Sequence, residues 1–269
     1  MVGLGRLGRA VLEACERAAL PVVLTASRSA GWRVDAAPEV IIDAGSPSGH
    51  DAVRESCLRY GAALVECVSD LDDAQWRALA ELAEKVPVVR ATNLTIGHHL
   101  QRRMVELLAA LGGHTVFPAE TSVHERHPAT KAHRPSATAT ALAATWRAGT
   151  GTEVAEIGSR RAGPPVSDHE VLWSWPGETL QLRHSVRRID AAADGALAAA
   201  RWTRGRAPGL VDMRTVFDDL IGAGEVPRPS TAPEPRPVQD APPARDPYRD
   251  RAPYPAQDAP PRTALRSRP

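Results

Sequence analysis

Cysteine and lysine are scarce in this chain, and it has neither a long apolar run nor a large net charge. The three cysteines, Cys15, Cys57 and Cys67, are odd in number and far apart. They imply neither a disulfide framework nor a zinc site, so a reducing cytoplasm is the expected compartment. No apolar run approaches the roughly eighteen residues of a membrane span, and no basic stretch followed by an apolar one opens the chain. A net charge of +1 gives no single-sign field for nucleic acid or an acidic membrane surface. Of 33 cationic side chains only two, Lys85 and Lys131, are lysines. Lysine can lose its proton when its surroundings shift its pKa and guanidinium cannot, so a lysine kept amid so many arginines marks a candidate for chemistry. What is present is ordinary: 43% apolar and 24% charged residues in 269, enough for one large domain or two modest ones.

From Pro227 to Pro269 the chain holds 13 of its 24 prolines, with few apolar side chains to offset the cost of ordering. The pattern predicts an unstructured, solvated tail over 223–269. Residues 1–97 alternate short apolar runs (Val22–Thr25, Val40–Asp43, Ala63–Glu66, Val88–Ala91) with helical patterns near 9–19, 50–60 and 72–84. That alternation predicts a parallel sheet covered on both faces. A further helix carries Leu100, Met104, Leu107 and Leu111 on one stripe. The rhythm then changes: Leu180, Leu182, His184 and Val186 alternate with polar residues, with Val154–Ile157 and Val171–Trp175 as companion strands. Helices near 138–146, 190–202 and 212–221 complete the folded part. The expected fold class is α/β: a Rossmann-type dinucleotide-binding domain over 1–97, with return helices at about 203–222, and a second α+β domain with a mixed sheet over 98–202.

Gly3-Leu4-Gly5-Arg6-Leu7-Gly8 fits the pattern G-x-G-x-x-G and runs straight into a helix. In a dinucleotide fold such glycines allow the tight turn and close approach of a pyrophosphate, which the helix N-terminus then faces. After the strand that follows, NAD-selective proteins carry an acid for the ribose hydroxyls. Here the residues are Ala26-Ser27-Arg28, a cation suited to a 2′-phosphate, so NADPH is expected over NADH. The fingerprint ordinarily follows a strand of about five residues, and only two precede Gly3, so a longer natural N-terminus is expected.

The densest chemical stretch runs from Glu120 to Ala139. It holds His124, His127, Lys131 and His133, then Pro135-Ser136-Ala137-Thr138, in which Ser136 or Thr138 can cap a helix. A helix N-terminus flanked by Lys131 and Thr138 is a seat for a substrate carboxylate. His127 titrates in the range useful to a general acid. Metal binding by His98, His99, His124 and His127 lacks a recognised spacing, and no metal is expected.

This stretch resembles the signature of the dihydrodipicolinate reductase family, E-x-H-H-x-x-K-x-D-A-P-S-G-T-A. Gly5-Arg6-Leu7-Gly8 is similar to the family's G-R-M-G turn, Val40–Asp43 with Ser46-Pro47 to its I-D-F-T-x-P, and Ala91-Thr92-Asn93-Leu94-Thr95-Ile96-Gly97 to its A-P-N-F-S-x-G. The resemblance spans about 1–221. It implies an NAD(P)H-dependent reductase acting on a C=N or C=C bond of a small carboxylate-bearing molecule, in a homotetramer. The residues carried over are His127 as acid, Lys131 as orienting cation, Ser136, Ala137 and Thr138 as the substrate turn, and Gly3, Gly5, Arg6, Leu7, Gly8, Arg28, Ala91 and Asn93 around the cofactor. The departures are Pro128 for the second histidine, His133-Arg134 for Asp-Ala, Ala137 for glycine, Glu66–Ser69 for the G-T-T loop that faces nicotinamide, and Ile189 for an arginine, with Arg187 and Arg188 beside it. They point to an altered substrate. Amino-acid dehydrogenation, or a non-catalytic binding protein on the same fold, are the alternatives.

Overall fold

The computed structural model of the chain describes residues 1–112, 119–163 and 167–222. The stretch read as a tail, 223–269, lies outside the described residues.

The first layer is a parallel sheet. β3 (Val40–Asp43), β4 (Ala63–Glu66), β5 (Pro87–Arg90) and β10 (Gly209–Asp212) lie in the order β10-β5-β4-β3, all pairs parallel. Beyond β3, Val2 bridges both Asp43 and Ala26 of β1 (Leu24–Ser27), so Met1–Gly3 holds the place between them. Its backbone is threaded into both neighbours: Val2 N donates to Ile42 O, Gly3 N to Ala26 O, and the terminal ammonium to Leu24 O. β1 turns back antiparallel into β2 (Gly31–Val34), an exposed strand absent from the sequence reading.

Consecutive apolar residues on these strands face opposite sides. Ile41, Leu64 and Val88 pack with Val53 and Cys57 of α2 (His50–Tyr60) and with Leu79 and Leu82 of α3 (Asp73–Ala83). Ile42, Val65 and Val89 pack against α1 (Arg6–Arg17), α6 (Asp190–Thr203) and α7 (Met213–Leu220). Each such side chain contributes about 1.5–3 kcal/mol by leaving water. Helix starts are set locally: Asp72 and Gln75 form a reciprocal capping box on α3, joining two otherwise unpaired backbone N–H groups to side chains.

α6 corrects the expected domain division. It was placed with the second domain, yet Ala193, Ala196, Leu197 and Ala199 sit in the core of the first sheet. The helix comes close because residue 195 is glycine: a Cβ there would stand 1.8 Å from the Leu94 carbonyl oxygen.

The second layer is a mixed sheet in the order β7-β6-β8-β9. β6 (Glu120–His127) pairs parallel with β7 (Glu156–Arg161) and antiparallel with β8 (Ser167–Trp175), which folds back onto β9 (Glu178–Val186). α4 (Ile96–Gly112) and α5 (Ala137–Thr150) cover one face, closing a core of Val105, Val123, Leu142, Trp146, Val171 and Trp173. β6 carries no hydrophobic alternation. Its inward positions are Thr121, Val123, Glu125 and His127, all buried. On α4 the apolar stripe faces outward, with Ile96, Leu100, Met104, Leu107 and Leu111 between 42% and 54% exposed, while Val105 and Ala109 face the core.

Candidate active site

The glycine turn lies where Val2 leaves the sheet. Gly3 has φ +80°, and a Cβ on it would stand 2.4 Å from the Ala44 backbone; a Cβ on Gly8 would strike the Gly3 carbonyl. These two glycines therefore serve packing. Gly5 is different: it is exposed, its Cβ position meets nothing, and as N-cap of α1 it offers no side chain to the first turn. The N–H groups of Arg6, Leu7 and Gly8 are left without intrahelical partners, with no acid in that turn, so an anion can sit against them. At the end of β1, Arg28 donates to Ser48 Oγ at 3.3 Å, and Ser27, Ser29 and Ser46 hydroxyls cluster beside this pair. Cation and hydroxyls together present a phosphate-binding donor set. The turn and this cluster suit a phosphorylated dinucleotide. Ala91 is a different case, because its side chain is buried in the first core and its N–H donates to Glu66 O.

A cleft of about 960 Å³ brings the two layers' chemistry together. One wall is Arg6, Arg9 and Glu13 of α1; the other is His127, Lys131, Ser167 and the run Arg187–Asp190. Arg188 pairs with Asp190, whereas Arg187 is exposed and has no acidic partner among the described residues. Lys131 is exposed on the turn after β6, and that turn is tied down by Arg161, whose guanidinium donates to the carbonyls of Lys131 (2.8 Å) and His133. The His127 ring is buried at the end of β6, with Nδ1 3.2 Å from Ser167 Oγ and Nε2 3.2 Å from His169 Nε2.

Behind His127 lies Glu125, fully buried. Its Oε1 accepts from Ser159 Oγ at 2.7 Å and Arg161 at 2.9 Å, and both its oxygens accept from Ser136 N–H at 3.1 Å. Burial alone would raise its pKa, but the hydrogen bonds from Ser136, Ser159 and Arg161 outweigh this and hold it at about 2. Burial lowers the pKa of His127, against the pull of Glu125, and brings that of His169 down to about 3. Glu125, His127 and His169 are the groups of metal-ligand type that converge among the described residues. The Arg161 guanidinium pairs with the single carboxylate, so the three form a hydrogen-bonded cluster around a buried ion pair.

The other expected residues divide. Ser136 was expected on the substrate; it is buried, caps α5 by accepting from Ala139 N–H, and lies 3.2 Å from His169 Nε2. Thr138 Oγ1 accepts from Asn93 Nδ2 at 3.3 Å, and Thr138, Ala137 and Asn93 line a separate hollow of about 110 Å³ with His98 and Arg102. Glu125, Arg161 and His169 are not among the expected site residues, although Glu125 is the first residue of the E-x-H-H signature and Arg161–Gly163 and Asp168–Glu170 keep the family's order and spacing; β6 was not legible as a strand.

In the loop that replaces G-T-T, Glu66 is buried with Asp43 and His50. Burial and then the neighbouring Glu66 charge push the Asp43 carboxyl up to about 7.

A glycine turn at a helix N-terminus facing a histidine–lysine cleft on a second sheet defines a dinucleotide-dependent oxidoreductase. Residues 1–94 match the family described as dihydrodipicolinate reductase, N-terminus, and residues 97–217 match its C-terminus. The chain belongs to the dihydrodipicolinate reductase family. It is similar to the 4-hydroxy-tetrahydrodipicolinate reductase of Alkalilimnicola ehrlichii, 32% identical over 81% of this chain and 81% of that one. That of Myxococcus xanthus is 36% identical over 73% of this chain and 79% of that protein. A dipicolinate-bound dihydrodipicolinate reductase from Paenisporosarcina sp. TG-14 shares the fold at a TM-score of 0.63 and 18% identity, over 78% and 96% of the two chains. The protein is thus an NAD(P)H-dependent reductase, and the non-catalytic alternative falls away. Among the described residues no helix is long and apolar enough to cross a membrane.

Proposed function

We propose that the chain reduces the C=N/C=C bond of a small cyclic imine with carboxylate groups, the chemistry for which its relatives are named, with NADPH preferred over NADH. The observation that carries this reading is the cleft: His127 and Lys131 stand in it opposite the N-terminal turn of α1. Bound reduced nicotinamide supplies a hydride to one atom of the double bond. His127 gives a proton to the other atom. Lys131 and the unpaired Arg187 hold the carboxylates, Arg187 supplying a cation two residues before Ile189. Five cations (Arg6, Arg9, Lys131, Arg187, Arg188) against two acids (Glu13, Asp190) line the cleft, a balance that favours an anionic substrate beside an anionic cofactor. Ala137 and Thr138 line the separate hollow with Asn93 rather than this cleft, and Ser136 is committed inside.

This reading assigns the dinucleotide lobe to 1–97 with 190–222, and the substrate lobe to 98–189. The outward apolar stripe on α4 supports a homo-oligomer, the tetramer that the resemblance implies. Sedimentation as a monomer at micromolar concentration would remove that assignment. Free thiols at all three cysteines suit a reducing, cytoplasmic setting.

The test is direct. Protein mixed with freshly generated 4-hydroxy-tetrahydrodipicolinate and NADPH should consume the nucleotide, read by absorbance, with the reduced product seen by mass spectrometry. No consumption with this or other cyclic imine carboxylates, alongside NADP⁺-dependent oxidation of an amino acid, would replace the reading with the dehydrogenase one.

A further inference from the structure

Two imidazole nitrogens, Nε2 of His127 and Nε2 of His169, lie 3.2 Å apart in the buried layer beneath the cleft. At that separation one of them carries a proton and the other does not. Two lone pairs would repel, and two N–H bonds would collide. Which atom holds the proton decides which face of His127 can act on a substrate.

Glu125 breaks the tie. Strand alternation puts it two residues before His127 on the same inward face, and its side chain is fully buried. Its Oε1 is engaged by Ser159 and Arg161. Its Oε2 accepts one N–H, from Ser136, and lies 3.3 Å from His127 Nε2 and 3.8 Å from His169 Nε2. An ionised carboxylate oxygen at 3.3 Å stabilises an N–H there and destabilises a lone pair. The nearer imidazole therefore holds the proton. His169 Nε2 is left as an acceptor, with His127 Nε2 and the Ser136 hydroxyl each 3.2 Å away. The opposite edge of His127, Nδ1, meets Ser167 Oγ, and both residues line the cleft.

We propose that Glu125 is the positioning residue of this active site: it keeps a proton on His127 Nε2, so that Nδ1 is the atom that delivers a proton into the cleft. The inference deepens the reductase reading and rests on it for the word active. In the cycle, the imidazolium gives its Nδ1 proton to the substrate atom that does not receive hydride, and the neutral ring keeps its Nε2–H on Glu125. The charged and titratable groups that face His127 are Glu125 on its own strand, Arg161 from β7, His169 from β8 and Lys131 from the following turn. Of these, only Glu125 favours the imidazolium. Arg161, besides pairing with Glu125, ties down the Lys131 turn, so one buried ion pair aligns the acid and the orienting cation together.

The test needs no substrate for its first arm. In ¹⁵N-histidine protein near neutral pH, long-range ¹H–¹⁵N spectra should show His127, assigned by its loss in His127→Gln, as the Nε2–H tautomer. An Nδ1–H tautomer overturns the proposal. In Glu125→Gln the His127 pKa followed by the same spectra should drop by about one unit or more. In Glu125→Gln with Arg161→Met, which leaves no unpaired buried cation, a smaller drop should persist. An unchanged His127 pKa in either variant also overturns the proposal. If neither variant folds, the tautomer of the parent protein decides alone.

The kinetic arm separates this inference from the functional reading. With the imine substrate, Glu125→Gln should lower kcat by roughly 10²-fold or more, move the His127 limb of the pH profile to lower pH, and leave NADPH affinity within about twofold. Normal turnover in the parent with the wrong tautomer sinks only the role of Glu125. A parent with the expected tautomer and no turnover on any imine sinks only the reaction.

Discussion

Lys131 and Arg28 are the residues at which a single side chain carries the most function for the least structure, because both are exposed. The Lys131 ammonium reaches into the cleft while the turn beneath it is held by Arg161 through backbone carbonyls. Lys131→Ala should therefore leave folding and NADPH affinity intact and lower turnover by roughly 10²–10³-fold, the usual cost of one preorganised donor. Lys131→Arg should not recover the rate, since it changes size, donor geometry and acidity. Lys85→Ala, just past α3 on the surface, is the control and should be silent. Steady-state kinetics on the three proteins is the check, and a fully active Lys131→Ala would falsify the assignment. Arg28 bears on the nucleotide alone. A charge-assisted phosphate contact contributes about 1.5–3 kcal/mol, so Arg28→Ala should weaken NADPH roughly 10- to 100-fold and NADH hardly at all. Nicotinamide fluorescence titrations of both nucleotides measure it, and equal losses for the two would refute the 2′-phosphate role.

Among the elements, α6 and β6 decide how the layers meet. α6 lies on α1 and the first sheet, and its close approach to the end of the β5 segment is permitted by Gly195, whose missing Cβ would stand 1.8 Å from Leu94 O. Gly195→Ala must push the helix away, an overpacking change expected to cost about 1–3 kcal/mol even though alanine is the better helix former. Urea unfolding should show the loss. A more stable protein would mean that the helix position is not fixed by this contact. The same contact sits one residue past Asn93, so a weaker nucleotide affinity should accompany the lower stability. β6 works differently. It is a central strand whose inward face changes along its length, from Val123 in the core to Glu125 and His127 at the site. Packing at one end thus fixes the position of the chemistry at the other.

At the scale of the whole molecule, buried groups with displaced pKa values should set the pH dependence of stability, His98, His169 and Asp43 prominent among them. Burial lowers His98 to about 4 and His169 to about 3, each from 6.5, while Asp43 is raised from 3.8 to about 7. Between pH 4 and 6.5 the unfolded chain binds two protons at the histidines that the folded protein does not, and the folded protein binds one at Asp43. His99, His127 and His184 are lowered as well, so the unfolded chain holds at least one proton more than the folded protein, and stability rises with pH by about 1.4 kcal/mol per unit or more over that window. Above 6.5 the histidine contribution is complete. The Asp43 contribution, present while that group is protonated, is lost as pH rises through 7. Asp43→Asn should steepen the rise between pH 4 and 6.5 by about 1.4 kcal/mol per unit, because the proton that the folded protein holds there is removed. Urea midpoints across this range test it, and an unchanged slope in Asp43→Asn would show that Asp43 does not hold its proton in the folded state.

Much of the first layer was determined by the sequence itself. Val40–Asp43 and Ala63–Glu66 are strands at the residues their apolar runs mark, because a strand buried on both faces is apolar along most of its length, the terminal Asp43 and Glu66 excepted. Gly3, Gly5 and Gly8 announce the turn, since the close contacts found at Gly3 and Gly8 exclude any side chain. His127 and Lys131 could be singled out by their chemistry, and both stand in the cleft. What only the tertiary structure decided has one physical cause. A strand or helix face shows its partner in its pattern only when that partner is apolar. β6 spends part of its inward face on Glu125 and His127, whose partners are Ser159 and Arg161 on β7, His169 on β8 and the start of α5, all distant in sequence. The stripe of α4 reads as a core face and points outward, because Val105 and Ala109 on its other side fill the core against the sheet. Ser136 reads as a substrate contact and is a buried cap, because Glu125 takes its N–H and Ala139 its hydroxyl. Composition and local pattern select residue types and elements. The assembled sheet alone determines which polar atom meets which, and here that pairing sets where the proton on His127 resides.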